Sequence, residues 1–110
     1  MQPHDIPAVT VAQVNDQAYL LDVREDDEWA AGHAPAAVHI PMQEIPIRMG
    51  EIPQDRQVVV TCRMGGRSAQ VTAYLRAQGY DDVVNLEGGM QAWHVAGRPL
   101  TGGDGNPRII

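Results

Sequence analysis

One cysteine in 110 residues has no internal partner, so no disulfide framework can hold this chain together. Phenylalanine is absent, and with aromatics at 5% the large apolar surfaces fall to Trp29 and Trp93, both expected in the core. Positive charge is in the minority: 8 Lys+Arg stand against 14 Asp+Glu, a net charge of -6. That balance excludes a broad basic face for nucleic acid or anionic lipid and confines any anion site to a local cluster. No apolar stretch reaches the roughly 18 residues of a membrane-spanning helix. The opening MQPHDIPAVT has neither the basic nor the long apolar region of a secretory signal. With the lone thiol, these absences point to a reducing cytoplasm, with no nucleic acid and no membrane as partner. The phosphate-cradling pattern G-x-x-x-x-G-K-[ST] is missing too. His4, His39 and His94 have no metal-like spacing with one another or with Cys62, so neither a metal nor a cofactor is expected.

What is present is an ordinary globular composition, 44% hydrophobic and 20% charged, in a length that suits a single domain. Residues 1–7 hold two prolines and read as an arm, residues 8–100 as the folded domain, and the Gly-rich residues 101–110 as a mobile tail. A short strand is expected near residues 8–10, with Thr10 capping a helix over 11–17. The compact run AYLLDV, residues 18–23, reads as a buried strand. Acids then open a brief helix, EDDEWAAGH, which presents Trp29 and Ala30 as its apolar side and stops at Gly32. AVHI, residues 37–40, gives another strand, and the following segment, with its three breakers, reads as loop with a single helical turn after Pro46. QVVVTC, residues 57–62, has the β-branched composition of a central parallel strand. From Ser68, apolar positions recur at helical spacing until Gly79 closes the helix. A last strand over 82–86 and a helix beginning in MQAWHVAG complete the pattern. Strands alternating with helices predict an α/β fold with a parallel sheet covered on both faces, and such sheets bind ligands at the carboxyl ends of their strands.

Cys62 lies at such an end. Free cysteines are commonly buried and behave as small hydrophobes. The five residues that follow, Arg63, Met64, Gly65, Gly66 and Arg67, argue otherwise, because a structural thiol needs neither two arginines nor two glycines beside it. If Gly65 and Gly66 turn the chain back toward the sulfur, backbone N–H groups converge on it at the start of the Ser68 helix and form an anion nest. Positive potential there favours thiolate over thiol, and thiolate is the reactive form.

Four separated motifs in order, LLDVRE, EWAAGHAPAAVHIP, VVVTCRMGGRSAQ and LEGGMQAW, resemble the single-domain rhodaneses, a family of sulfurtransferases, over about Val9 to Leu100. The resemblance implies a three-layer α/β/α domain with a five-stranded parallel sheet. It implies that Cys62 takes a sulfur from an anionic donor such as thiosulfate, holds it as a persulfide and yields it to a thiol or cyanide-like acceptor. Residues 63–68, that is Arg63, Met64, Gly65, Gly66, Arg67 and Ser68, are then the substrate loop, whose arginines bind or steer the donor. CRMGGR fits the C-R-x-G-x-R loop of thiosulfate-using members, and its C-x4-R spacing is one residue shorter than the C-x5-R loop of related phosphatases and arsenate reductases. Asp22 and Arg24 match the D-V-R position, where Asp22 is expected to bond loop amides and Arg24 to pair with an acid such as Glu28. His33 matches a structural histidine, although Ala34 and Ala36 replace the family's Ile and Gly. Gly88 and Gly89 match a strand-to-helix turn beside the loop, and residues 25–28 read as a solvated helix start. The alternative is a sulfur-relay or regulatory module that carries persulfide for one partner protein.

Overall fold

The computed structural model describes residues 5–110; residues 1–4, including His4 and the start of the expected arm, lie outside the described residues. Five parallel strands form one sheet: β1 (Ala8–Val9), β2 (Tyr19–Asp22), β3 (Val38–His39), β4 (Val58–Thr61) and β5 (Val83–Leu86), in the spatial order β1-β5-β4-β2-β3. Among the described residues four α-helices accompany them: α1 (Asp26–Ala31), α2 (Ile45–Arg48), α3 (Gly66–Ala77) and α4 (Gly89–Val95). The architecture is the expected α/β sheet with helices on both faces, and β4 is its middle strand.

Alternation along the strands sorts the core into two layers. Tyr19, Leu21, Val58 and Val60 point to one face, where Ile45 of α2 and Val71 and Leu75 of α3 cover them. Leu20 and Val59 point to the other, beneath Met90 and Trp93 of α4 and Val11. Cys62 keeps the parity of Val58 and Val60, so its side chain falls on the α3 face and joins that first core cluster. β4 is all Val and Thr and wholly buried, as a strand with neighbours and helices on every side requires.

Local chemistry explains where the elements depart from expectation. The helix expected over 11–17 is one 3-10 turn, Val11–Gln13, because Asn15 Oδ1 takes the Gln17 N–H at 2.7 Å and turns the chain instead. Residues 42–51 are almost wholly helical, with α2 flanked by 3-10 turns. Pro46 sits in the first turn of α2, where its missing N–H costs nothing, and Arg48 bonds Glu44 and Glu51 at 3.0 and 2.9 Å. α3 starts at Gly66, two residues before the expected Ser68.

Residues 101–110, expected as a mobile tail, lie against α1 and its exit. Thr101 pairs with His33 through both backbone bonds, at 3.0 and 2.8 Å, and the Arg108 N–H reaches the Ala31 carbonyl at 2.9 Å. Ile109 packs on the second core cluster.

Candidate active site

The chain leaves β4 at Cys62 and must enter α3 within a few residues. Gly65 makes that turn with φ 111°, in the left-handed region, and caps α3. Gly66 already has helical backbone, so of the two loop glycines only Gly65 uses glycine's conformational freedom. The result is a loop wound around the sulfur. Sγ accepts the Gly65 N–H at 3.1 Å and the Ser68 hydroxyl at 3.3 Å.

Cys62 is only 1% exposed, and Ser68 is fully buried beside it. Burial pushes the thiol's pKa up; the Ser68 hydroxyl and the backbone N–H groups of Ser68, Gly65 and Met64 outweigh it, and the net direction is down. Every polar group aimed at the sulfur is a donor. That donor set suits an anion at this point rather than a cation.

The loop is held from behind by α4. Met90 and Gln91, in the first turn of that helix, donate their N–H groups to the carbonyls of Cys62 and Arg63 at 2.8 and 2.9 Å. With these carbonyls turned outward to a helix N-terminus, the loop's own N–H groups are free to face the sulfur. This is the service of Gly88 and Gly89: both have positive φ, and a Cβ on Gly89 would collide with the Cys62 and Arg63 carbonyls. Asn85 of β5 adds a further pin, donating Nδ2 to the Gly65 carbonyl at 3.2 Å. Asn85 was not anticipated; its signal was one amide side chain inside the otherwise apolar VVNL.

The two loop arginines differ. Arg67 makes a two-point ion pair with Glu28 of α1, Nη1 to Oε1 at 2.7 Å and Nη2 to Oε2 at 2.9 Å. The bond from Arg67 holds the Glu28 carboxyl below the usual carboxylate range, and Glu28 in turn raises Arg67 further. Arg63 and Met64 are exposed at the loop's tip, Met64 by 64%.

Asp22 and Arg24 are placed otherwise than expected. Both are fully buried, and they pair with each other, Nε to Oδ1 at 2.9 Å and Nη2 to Oδ2 at 2.8 Å. Asp22 therefore spends its carboxylate on Arg24, whose own N–H it also accepts at 3.1 Å, and bonds no loop amide. Arg24 touches Glu28 only at its carbonyl, at 3.3 Å, and reaches the Gly32 carbonyl at 2.8 Å. The physical reason is proximity: two residues apart at the end of β2, the pair closes inside a buried space where neither charge could stand alone. Arg24 thereby ties α1 to the sheet at Glu28 and at its C-cap Gly32 and leaves the Glu28 carboxylate to Arg67.

His33 lies away from the sulfur loop and serves α1: Nδ1 is 2.7 Å from the Trp29 carbonyl, and its ring stacks on Trp29 with centroids 3.5 Å apart. His39 also stacks on Trp29, with centroids 4.8 Å apart. Trp29, expected in the core, is half-buried and stacked with two imidazoles, while Trp93 is a core residue as expected. An apolar hollow of about 200 Å³ between α2 and α3, lined by Met42, Ile45, Pro46, Gln70, Val71 and Tyr74, includes none of the loop residues.

Comparison with known proteins supplies the context. The rhodanese-like domain family matches residues 7–96. A sulfurtransferase of Allochromatium vinosum is 51% identical over 86 residues, covering 78% of this chain and 80% of that one. The crystal structure of a rhodanese-related protein from Thermoplasma volcanium superposes with a TM-score of 0.80 at 28% identity, over 86% of this chain and 97% of the other. A thiosulfate sulfurtransferase from Pseudomonas aeruginosa gives a TM-score of 0.81 at 26% identity, over 96% of this chain but 21% of that longer one.

Proposed function

This chain belongs to the rhodanese-like domain family, and from that membership we propose that it is a sulfurtransferase carrying one sulfane sulfur on Cys62, from an anionic donor such as thiosulfate to a nucleophilic acceptor. The observation that carries the reading is the ring of donors around Sγ, which lowers the thiol's pKa despite its burial. In the first half-reaction the Cys62 thiolate attacks the outer sulfur of thiosulfate. The new Sγ–S bond forms as the S–S bond of thiosulfate breaks, and its electron pair leaves with sulfite. The outer sulfur, now a persulfide anion, occupies the space toward which the N–H groups of the loop point. In the second half an acceptor such as cyanide or a thiolate attacks that outer sulfur, and the electron pair of the Sγ–S bond returns to Cys62 as thiolate. No outside oxidant or reductant is needed. Arg63, exposed at the loop's tip, is the cation that meets an arriving anion. Thiolate chemistry of this kind suits a reducing compartment, the cytoplasm.

The commitment of Arg67 to Glu28 favours a second reading, in which a partner protein delivers the sulfur and free thiosulfate is a poor donor. One experiment separates the two. Intact-mass measurement after incubation with thiosulfate should show a gain of one sulfur atom, discharged by cyanide and absent in Cys62→Ser. A gain only with polysulfide or a persulfidated cysteine desulfurase supports the relay. Sulfur acquired equally by Cys62→Ser overturns both.

A further inference from the structure

All eight cationic side chains of this protein are arginines. Among the described residues, Arg63 is the one arginine whose side chain makes no hydrogen bond, ion pair or ring contact; Arg67, four residues on, has its guanidinium taken by Glu28. The loop thus carries two formal positive charges, of which one is neutralised from within the molecule.

We propose that Glu28 is a specificity-determining residue: its carboxylate is a built-in anion that occupies the guanidinium fork of Arg67 and sets how strongly the Cys62 loop attracts an anionic reagent. The geometry is that of a bound oxyanion. Oε1 and Oε2 sit 2.7 and 2.9 Å from the two terminal nitrogens, the same parallel two-point contact that an arginine offers a sulfonate or thiosulfate. The carboxylate and an incoming donor therefore compete for the same nitrogens.

Glu28 is also the fixed partner of the two. Its Oε1 accepts the Glu25 N–H at 3.0 Å, and its helix is tied to the sheet through the Arg24 bonds to the Glu28 and Gly32 carbonyls. Its side chain is 14% exposed and that of Arg67 34%, so solvent and donor reach the cation more easily than the anion that holds it. Attraction to the Cys62 thiolate adds to that of Glu28 in raising the Arg67 pKa. Displacing Glu28 from Arg67 leaves a carboxylate beside the loop, which repels a dianion; keeping it in place leaves Arg63 alone to attract one. Either way the carboxylate lowers the site's preference for anions.

The substrate class rests on the sulfur-transfer reading; the competition for Arg67 is tested without it. Cys62 is the only thiol, so its alkylation is unambiguous. The rate ratio of anionic iodoacetate to neutral iodoacetamide measures the local pull on anions, and the neutral reagent corrects for any change in thiolate fraction. In Glu28→Gln, and in Glu28→Ala as a second variant, the ratio should rise roughly two- to fivefold, the effect of uncovering one partly exposed charge, and the rise should shrink with added salt. Thermal melting checks that each variant is folded. An unchanged or lower ratio overturns the proposal and leaves Glu28 as a strut that only positions Arg67. Sulfur loading from thiosulfate, followed by mass in the same samples, should rise in parallel. If the ratio rises but no variant loads, Glu28 controls anion access and thiosulfate is not the donor. If loading occurs but the ratio stays flat, the sulfur-transfer reading stands and this inference falls.

Discussion

Opposing effects meet at Cys62. Burial disfavours its thiolate, and hydrogen bonds from Ser68, Gly65 and Met64 favour it more strongly. Ser68→Ala removes the side-chain donor at 3.3 Å while leaving the backbone ring intact. The apparent thiol pKa should rise by roughly one unit, since a hydrogen bond to a charged group contributes about 1.5–3 kcal/mol at best and sulfur is a weak acceptor. The pH profile of iodoacetamide alkylation measures it, and an unmoved profile would remove Ser68 from the activating set. The sign for stability follows as well. A thiol with a depressed folded pKa stabilises the fold fully above its unfolded value of about 8.5, and that contribution is lost as pH falls through the lower folded value. At this scale much of the site was legible: a lone cysteine after β-branched residues and before two arginines marks itself. Asn85 was not, because its role depends on a carbonyl 20 residues away.

At the scale of elements, two helix N-termini meet at one loop: α3 receives the chain and α4 caps its carbonyls. The glycines at these junctions look alike in sequence and are not equivalent in space. Gly66 has helical backbone and nothing within 4 Å of an added Cβ, so Gly66→Ala should leave stability unchanged or raise it by about 0.5–1 kcal/mol. Gly89 has φ 56°, and its Cβ would strike the Cys62 and Arg63 carbonyls. Gly89→Ala should cost about 2–4 kcal/mol and slow Cys62 alkylation, because the loop must shift off α4. Urea unfolding of the two variants side by side tests the contrast, and equal midpoints would refute it. The position of α3 was readable from periodicity, whereas the 3-10 turn at Val11–Gln13 and the helical residues 42–51 were not, and which helix end supports which loop depends on how the crossovers bring β4 and β5 together.

For the whole molecule, the chain's last ten residues belong to the packing of α1. Gly32 has φ 171°, extended backbone that any residue adopts, so an alanine there meets no local strain. Its Cβ would, however, run into the Arg108 backbone. Gly32→Ala should therefore destabilise the protein by about 1–3 kcal/mol only if residues 101–110 dock as described. Hydrogen exchange at the Arg108 amide, which bonds the Ala31 carbonyl at 2.9 Å, should accelerate at the same time. A neutral Gly32→Ala with an already fast Arg108 amide would return the segment to the mobile tail that its composition suggests.

Sequence alone determined the alternation that builds the sheet, the place of Cys62 at the end of its middle strand and the donor-rich loop that follows. These are near-neighbour properties: side-chain parity, backbone freedom and charge all act within a few residues of chain. Only the tertiary structure decided that Asp22 closes on Arg24 and that Glu28 takes Arg67 across 39 residues. It likewise decided that α4 holds the loop's carbonyls and that the C-terminal residues press on α1. Those pairings carry no period in the chain. They depend on which charges the packed sheet leaves within about 3 Å of one another, and a buried or half-buried charge binds whichever opposite group the fold brings nearest.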